Sequence, residues 1–400
     1  MAILSSARRV ALALGIATAG ATLAAVAASA PAQAATGNIQ LAGGATAVSN
    51  SYIVVLKAGS ADVGTTAGQL VRRHGGAVRQ TYAAALRGFE VSTSESSARQ
   101  LAGDPAVAYV EQNHVVQIDA TQANPPSWGL DRIDQRNLPL NSSYTYPNTA
   151  STVTAYIIDT GIRFAHSTFG GRARSGFDAI DGGSADDCNG HGTHVAGTVG
   201  GSQYGVAKGV QLVAVRVLNC SGSGTVAQVV AGINWVTANA VKPAVANMSL
   251  GGGASTSIDN AVTNSINNGG VTYAIAAGNS NANACNSSPA RVPAAITVGA
   301  TQQNDARASF SNFGTCLDIF APGVGITSSW WTSNTATNTI SGTSMATPHV
   351  TGVAALILSA HSTFTPAQVR TQMVNAATTG VVTNPGSGSA NRLLFVSQTP

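Results

Sequence analysis

The feature that most constrains this fold is an alternation through the later two thirds of the chain. Almost wholly apolar runs such as 153–158 and 212–218 alternate with helix-like stretches such as 226–240, and Gly-rich turns separate them. A sheet with one wet face needs a polar residue at every second position, and these runs lack that pattern. Strands buried on both faces and alternating with helices predict an α/β architecture: a mostly parallel sheet with helices on each side. The preceding part reads differently. Between about 51 and 119, β-like runs at 52–56, 77–82, 88–91 and 107–110 interleave with amphipathic helical stretches at 67–74 and 96–101, the order of a small βαββαβ unit. Four hundred residues accommodate both parts, at roughly 100–200 residues per domain.

Composition removes several function classes. Lys and Arg number 20 against 16 Asp and Glu, a net +4, and charged residues are 9% of the chain, so no polybasic surface argues for nucleic acid. The 44 glycines have no three-residue period, which excludes a collagen-like chain and leaves many tight turns. At the amino end, Arg8 and Arg9 precede an uncharged run over 10–28 and the small-residue pattern Ala32-Gln33-Ala34, the layout of a secretory signal over 1–34. A membrane anchor is the alternative, but the run is weakly apolar and a cleavage-type pattern follows it. Export implies an extracellular protein with no membrane association once the signal is removed. It also lets Cys188, Cys220, Cys285 and Cys316 oxidise, in any of three pairings among which spacing cannot choose. A Cys/His metal site is disfavoured because the chain has no C-x-x-C pair.

Three segments carry candidate chemistry. Asp159 ends the run Tyr156-Ile157-Ile158-Asp159, which puts its carboxylate at the carboxyl edge of a parallel sheet, where α/β folds build their sites. His191 lies in Asn189-Gly190-His191-Gly192-Thr193-His194, between glycines that allow close backbone approach. Ser344 sits in Gly342-Thr343-Ser344-Met345-Ala346, at the entry to an apolar helical stretch. Each alone has an ordinary structural explanation: a helix cap for the Asp, packing for the His, an N-cap for the Ser. Together they supply a hydroxyl, a base and the carboxylate that orients the base.

These three motifs resemble the active-site signatures of subtilisin-like serine proteases, in the chain order Asp, His, Ser. Tyr204-Gly205-Val206-Ala207-Lys208 and Asp318-Ile319-Phe320 are similar to the proteinase K branch, in particular to its aqualysin-like secreted members. The resemblance implies a subtilisin-like three-layer fold from 120 to 400, preceded by a ferredoxin-like inhibitor-type propeptide over 35–119. The propeptide is expected to template folding and inhibit the enzyme, with self-cleavage near Asp119 or Ala120. The implied activity is secreted, broad-specificity endopeptidase action on proteins and peptides by a monomer. Ser344 is the expected nucleophile, His191 the general base and Asp159 its orienter, joined in a hydrogen-bonded relay. Asn279 in Ala276-Ala277-Gly278-Asn279 is the expected oxyanion donor.

The same resemblance implies strand-like substrate pairing along Gly222, Ser223 and Gly224 and along Ser249, Leu250 and Gly251. Ala276 and Gly278 would line an uncharged pocket for apolar or aromatic residues before the cut. It implies the pairings Cys188–Cys220 and Cys285–Cys316, and structural Ca²⁺ on Asp318 with the carbonyls of Pro293 and Ala295. A second candidate calcium group is Asp131, Asp134, Gln135, Asn141 and Ser143. Asp181, Asp186 and Asp187 read as either a third ion site or a solvated loop. An esterase of the α/β-hydrolase type would need G-x-S-x-G and the order Ser, Asp, His; a metalloprotease would need H-E-x-x-H; neither pattern is present. An inactive relative would have lost one of Asp159, His191, Ser344 or Asn279, and all four remain.

Overall fold

The computed structural model describes residues 35–43, 47–59, 62–114 and 120–398; the expected export signal and Asp119 lie outside them. The chain divides into two compact units, within 1–113 and 114–400. In the first, strands Ala47–Leu56, Ala77–Tyr82, Gly88–Ser92 and Val107–His114 alternate with helices Val63–His74 and Glu95–Ala102, as the patterning predicts. The sheet carries these four strands in the order first at 107–114, then 47–56, 88–92 and 77–82, with one further short strand, Ile39–Gln40, at the edge. Asp62 and Ser94 cap the two helices by accepting from the N–H groups of Thr65 and Ser97. Val54, Phe89, Val91, Leu101 and Val110 are fully buried between helices and sheet.

The second unit is built on a nine-stranded sheet. Its strands in chain order are β1 (Thr154–Asp159), β2 (Ala173–Asp178), β3 (Gln211–Arg216), β4 (Ala244–Met248), β5 (Thr272–Ala276), β6 (Ile296–Thr301), β7 (Ile319–Pro322), β8 (Thr378–Thr379) and β9 (Arg392–Leu393). In space they run β8-β9-β7-β6-β5-β4-β1-β3-β2, and every pairing is parallel except β8 with β9. The apolar runs are explained by what covers them. On β1, Ala155 and Ile157 face one core while Tyr156 and Ile158 face the other; on β3, Leu212 and Ala214 oppose Val213 and Val215 in the same way. Helices α1 (His191–Gly200), α4 (Thr343–Ala360) and α5 (Pro366–Ala376) pack on the first face, and α2 (Val226–Asn239) and α3 (Thr256–Asn267) on the second.

Local signals set the helix starts. Thr225 with Gln228 and Thr365 with Gln368 form capping boxes at α2 and α5. A short strand, Ala120–Ala123, pairs antiparallel with Ser143–Tyr146 inside this unit. The chain just after the expected cleavage point therefore belongs structurally to the second unit. Disulfides join Cys188 to Cys220 and Cys285 to Cys316, the pairing the resemblance implies. Among the described residues, no helix is long and apolar enough to cross a membrane.

Candidate active site

Strands β1 and β3 pair in register up to Asp159 and Arg216, so Asp159 ends its strand at the carboxyl edge of the sheet, completely buried. Helix α1 begins at His191. Gly190 takes φ +112°, and a Cβ on Gly192 would lie 2.1 Å from the Gly161 carbonyl oxygen, so only glycine lets α1 close onto the turn after Asp159. That approach brings His191 Nδ1 to 2.8 Å from Asp159 Oδ1, which also accepts the Thr160 N–H at 2.7 Å. The imidazole is 26% exposed, with Nδ1 turned to the acid. Burial lowers the His191 pKa, but the charge and hydrogen bond of Asp159 and the charge of Asp187 outweigh it, so the pKa is raised above the ordinary imidazole value.

Ser344 is the second residue of α4. Its hydroxyl donates to the Ser249 carbonyl at 3.1 Å, and Ser249 Oγ donates in turn to the Ser344 carbonyl at 2.8 Å. The expected three-member relay is thus formed at its Asp–His link, whereas the serine hydroxyl is turned to Ser249. Behind Ser249 stands a buried chain that sequence reading missed: Thr351 Oγ1 donates to Asn247 Oδ1, and Asn247 Nδ2 donates to Ser249 Oγ, both at 2.8 Å.

Asn279 is held by the residue preceding Ser344. Thr343 donates its N–H at 2.8 Å and its hydroxyl at 2.9 Å to Asn279 Oδ1, while Thr343 Oγ1 accepts the Gly278 N–H at 3.2 Å. With the amide oxygen occupied, Nδ2 is the free end of the side chain. Asn312 braces the same wall, donating to the Ala277 carbonyl and accepting from the N–H groups of Ser280 and Ala282. Neither Thr343 nor Asn312 was singled out from the sequence; the adjacency of Thr343 to Ser344 was the available signal.

Two cavities meet along Leu250, Gly251 and Gly252. One of about 450 Å³ is lined by His191, by Gly222, Ser223 and Gly224, by Ser249 and by the apolar Val226 and Ile258. The other, about 200 Å³, is lined by Ala276, Ala277, Gly278, Asn279, Asn312 and Ser344. All eight residues expected to contact substrate therefore border one or both cavities. Gly252 and Gly253 pair antiparallel with Ser288 and Ser287, so that end of the glycine edge is already occupied by the protein's own chain.

The calcium candidates differ. Among the described residues, no cluster of three or more His, Cys, Asp or Glu side chains could hold a metal. The Asp131 group relies on other oxygens as well. Asp131 accepts the N–H groups of Asn141 and Ser142, and Asn141 Oδ1 is taken up by the N–H and hydroxyl of Ser143. Among the described residues, Asp134 Oδ1 and Gln135 Oε1 are buried without hydrogen-bond partners, and burial together with the Asp131 charge pushes the Asp134 carboxyl up to about 6. An orphaned carboxylate oxygen near a second carboxylate, followed in sequence by an orphaned amide oxygen, is a donor set of the hard-oxygen kind that suits a divalent cation. At Asp318, Oδ2 accepts the Thr297 N–H and Oδ1 is paired with the Arg370 guanidinium. A cation there requires Arg370, whose side chain is 40% exposed, to swing away; Pro293 lines the same neighbouring cavity as Arg370, and Ala295 is buried.

Of the acidic trio, Asp181 pairs with Arg216 at the surface and Asp186 is exposed, as a solvated loop expects, whereas Asp187 is buried with both oxygens taken by protein donors.

Comparison with known proteins agrees with this architecture. The subtilase family model matches residues 150–393, and the peptidase inhibitor I9 model matches residues 51–119. An extracellular serine proteinase of Thermus sp. (strain Rt41A) is 60% identical over 322 residues, 80% of this chain and 78% of the relative. Alkaline serine exoprotease A of Vibrio alginolyticus is 53% identical over 324 residues, 80% of this chain and 60% of that longer protein. A crystal structure of a cold adapted subtilisin-like serine proteinase is 56% identical, with a TM-score of 0.66, covering 68% of this chain and 98% of the other. Matched by its family model over most of the second unit, and sharing more than half its residues with these relatives where they align, the chain belongs to the subtilase family.

Proposed function

We propose that the protein is an extracellular serine endopeptidase, made as an autoprocessed proprotein, whose catalytic residues are Ser344, His191 and Asp159. The observation that carries the reading is the 2.8 Å contact between His191 Nδ1 and a fully buried Asp159, beside cavities bordered by Ser344 and Asn279. Ser344 Oγ leaves the Ser249 carbonyl by rotation about its Cα–Cβ bond and gives its proton to His191 Nε2 as it attacks the peptide carbonyl. Catalytic hydrogen bonds in substrate-free enzymes are often formed only on binding. Asp159 holds the imidazole with Nδ1 protonated and stabilises the imidazolium. Asn279 Nδ2 and the Ser344 N–H receive the oxyanion, and His191 returns the proton to the leaving amine. Water then hydrolyses the acyl-enzyme.

The roughly 200 Å³ cavity has no charged side chain among its lining residues, which favours apolar or aromatic residues before the cut. The larger cavity, with its two glycine-bearing edges, accepts the substrate as an added strand. The segment 35–119 is the propeptide, cut near Ala120; the strand Ala120–Ala123 then stays paired within the enzyme. Asp134 and Gln135, with the buried Asp131, would hold a structural Ca²⁺, which would neutralise the charge of the two neighbouring carboxylates. The Asp318 group is a second candidate once Arg370 is displaced.

The test is hydrolysis of casein and of an extended apolar peptide by the processed protein and by Ser344→Ala. Equal rates for the two would refute the assignment; the proposal expects hydrolysis by the parent alone and a Ser344→Ala chain that stays uncut.

A further inference from the structure

We propose that Asp187 is a positioning residue for His191: its buried carboxylate ties the turn after Asp159 to the start of α1, and its charge favours the imidazolium formed during the reaction. The inference rests on the reading of His191 as general base. Asp187 is 5% exposed and makes no ion pair among the described residues. A carboxylate removed from water without a cation persists only when donors replace its hydration. Asp187 has five. Oδ1 accepts the Thr160 hydroxyl at 2.9 Å and the N–H groups of Asn189 and Gly190 at 2.9 and 3.0 Å. Oδ2 accepts the N–H and the hydroxyl of Thr193 at 2.9 and 2.6 Å.

These donors show what the carboxylate does. Helix α1 starts at the catalytic imidazole, yet its N-cap, Gly190, has no side chain to cap it and its first turn has no acidic residue. Asp187 supplies the missing cap from three residues upstream, taking the N–H groups of Gly190 and Thr193 and placing a negative charge at the positive end of the helix. Through Oδ1, the oxygen that takes the Gly190 N–H, it also holds Thr160, whose hydroxyl accepts the Gly192 N–H at 2.9 Å. One carboxylate therefore fixes both partners of the Asp159–His191 pair. Among the described residues, the titratable groups whose charges act on the imidazole are Asp159, Asp187 and His194; burial holds the last down to about 3, so it is neutral near pH 7.

Position and charge are separable by experiment. In Asp187→Asn, the charge goes and an amide donor meets groups that are themselves donors. The plateau of kcat/KM should fall on the order of 10–100-fold, and its acid limb should move to lower pH, because His191 must be neutral to act as base and loses one of the charges that raise its pKa. Thr160→Val keeps the charge and removes the bridge: the plateau should fall while the limb stays, and Thr160→Ser should restore the plateau. NMR titration of the His191 ring in the uncut Ser344→Ala chain, with and without Asp187→Asn, reads the charge effect without any turnover.

A ring titration and acid limb at the parental pH in Asp187→Asn, or a parental plateau in Thr160→Val, would overturn the proposal. If Asp187→Asn does not fold, the Thr160 pair decides. A parent that hydrolyses nothing would refute the general-base reading instead, and the ring titration would still decide whether Asp187 acts on His191.

Discussion

Replacing Thr343 by valine tests how the Asn279 amide is aimed. Thr343 is completely buried, and valine matches its shape without the hydroxyl. Two hydrogen bonds are lost: Asn279 Oδ1 keeps the Thr343 N–H but loses the hydroxyl at 2.9 Å, and the Gly278 N–H loses its acceptor at 3.2 Å. A neutral hydrogen bond contributes about 1 kcal/mol net, and an unpaired buried N–H costs about 1–3 kcal/mol. If the lost bond weakens the hold on the donor by about 1–1.4 kcal/mol in the transition state, kcat falls roughly 5–10-fold. KM should stay within about two-fold, because the donor acts on charge that develops only during the reaction. Steady-state kinetics on an apolar-P1 peptide anilide, normalised by active-site titration, measure both, and Thr343→Ser should recover most of kcat. A raised KM with unchanged kcat, or a serine variant as slow as valine, would refute the aiming role.

Chelation should lower the thermal midpoint, and by more at pH 7 than at pH 5. In the metal-free protein the Asp134 carboxyl sits at about 6, above its unfolded value, so its contribution to stability is present at low pH and is lost as pH rises through about 6. Calcium binds the ionised form and gains over the same window; calorimetry with calcium or EDTA at the two pH values measures the gap, and a gap independent of pH contradicts the Asp134 assignment. Cys285→Ser with Cys316→Ser opens a loop of sequence separation 31, worth about 3–4 kcal/mol in the chain-entropy model, and should shorten the inactivation half-life at elevated temperature. A half-life equal to the parent's would show that this crosslink does not limit unfolding.

The sheet was legible because residues such as Tyr156 and Ile158 are apolar in sequence with Ala155 and Ile157, and only two covered faces accommodate both sets. The propeptide elements were legible for the opposite reason: their helices have one apolar stripe each. Strands of two residues, such as Ile39–Gln40, carry too little pattern to read. The positions of Asp159 and His191 followed from a strand end and a glycine-flanked turn. The partners of other polar groups did not, because they are set by chain returns that no local pattern encodes. Arg370 reaches Asp318 across 52 residues, and Thr351 reaches Asn247 across 104. Asp187 looked like part of an exposed acidic loop because its burial depends on how α1 closes onto the β1 turn.

The most direct test of the catalytic assignment is covalent. Treating the processed protein with a sulfonyl fluoride and mapping its peptides by mass spectrometry should place a single label on Ser344, with His191→Ala reacting far more slowly. A label on another residue, or Ser344 labelled equally fast without His191, would contradict the proposed activation of that hydroxyl.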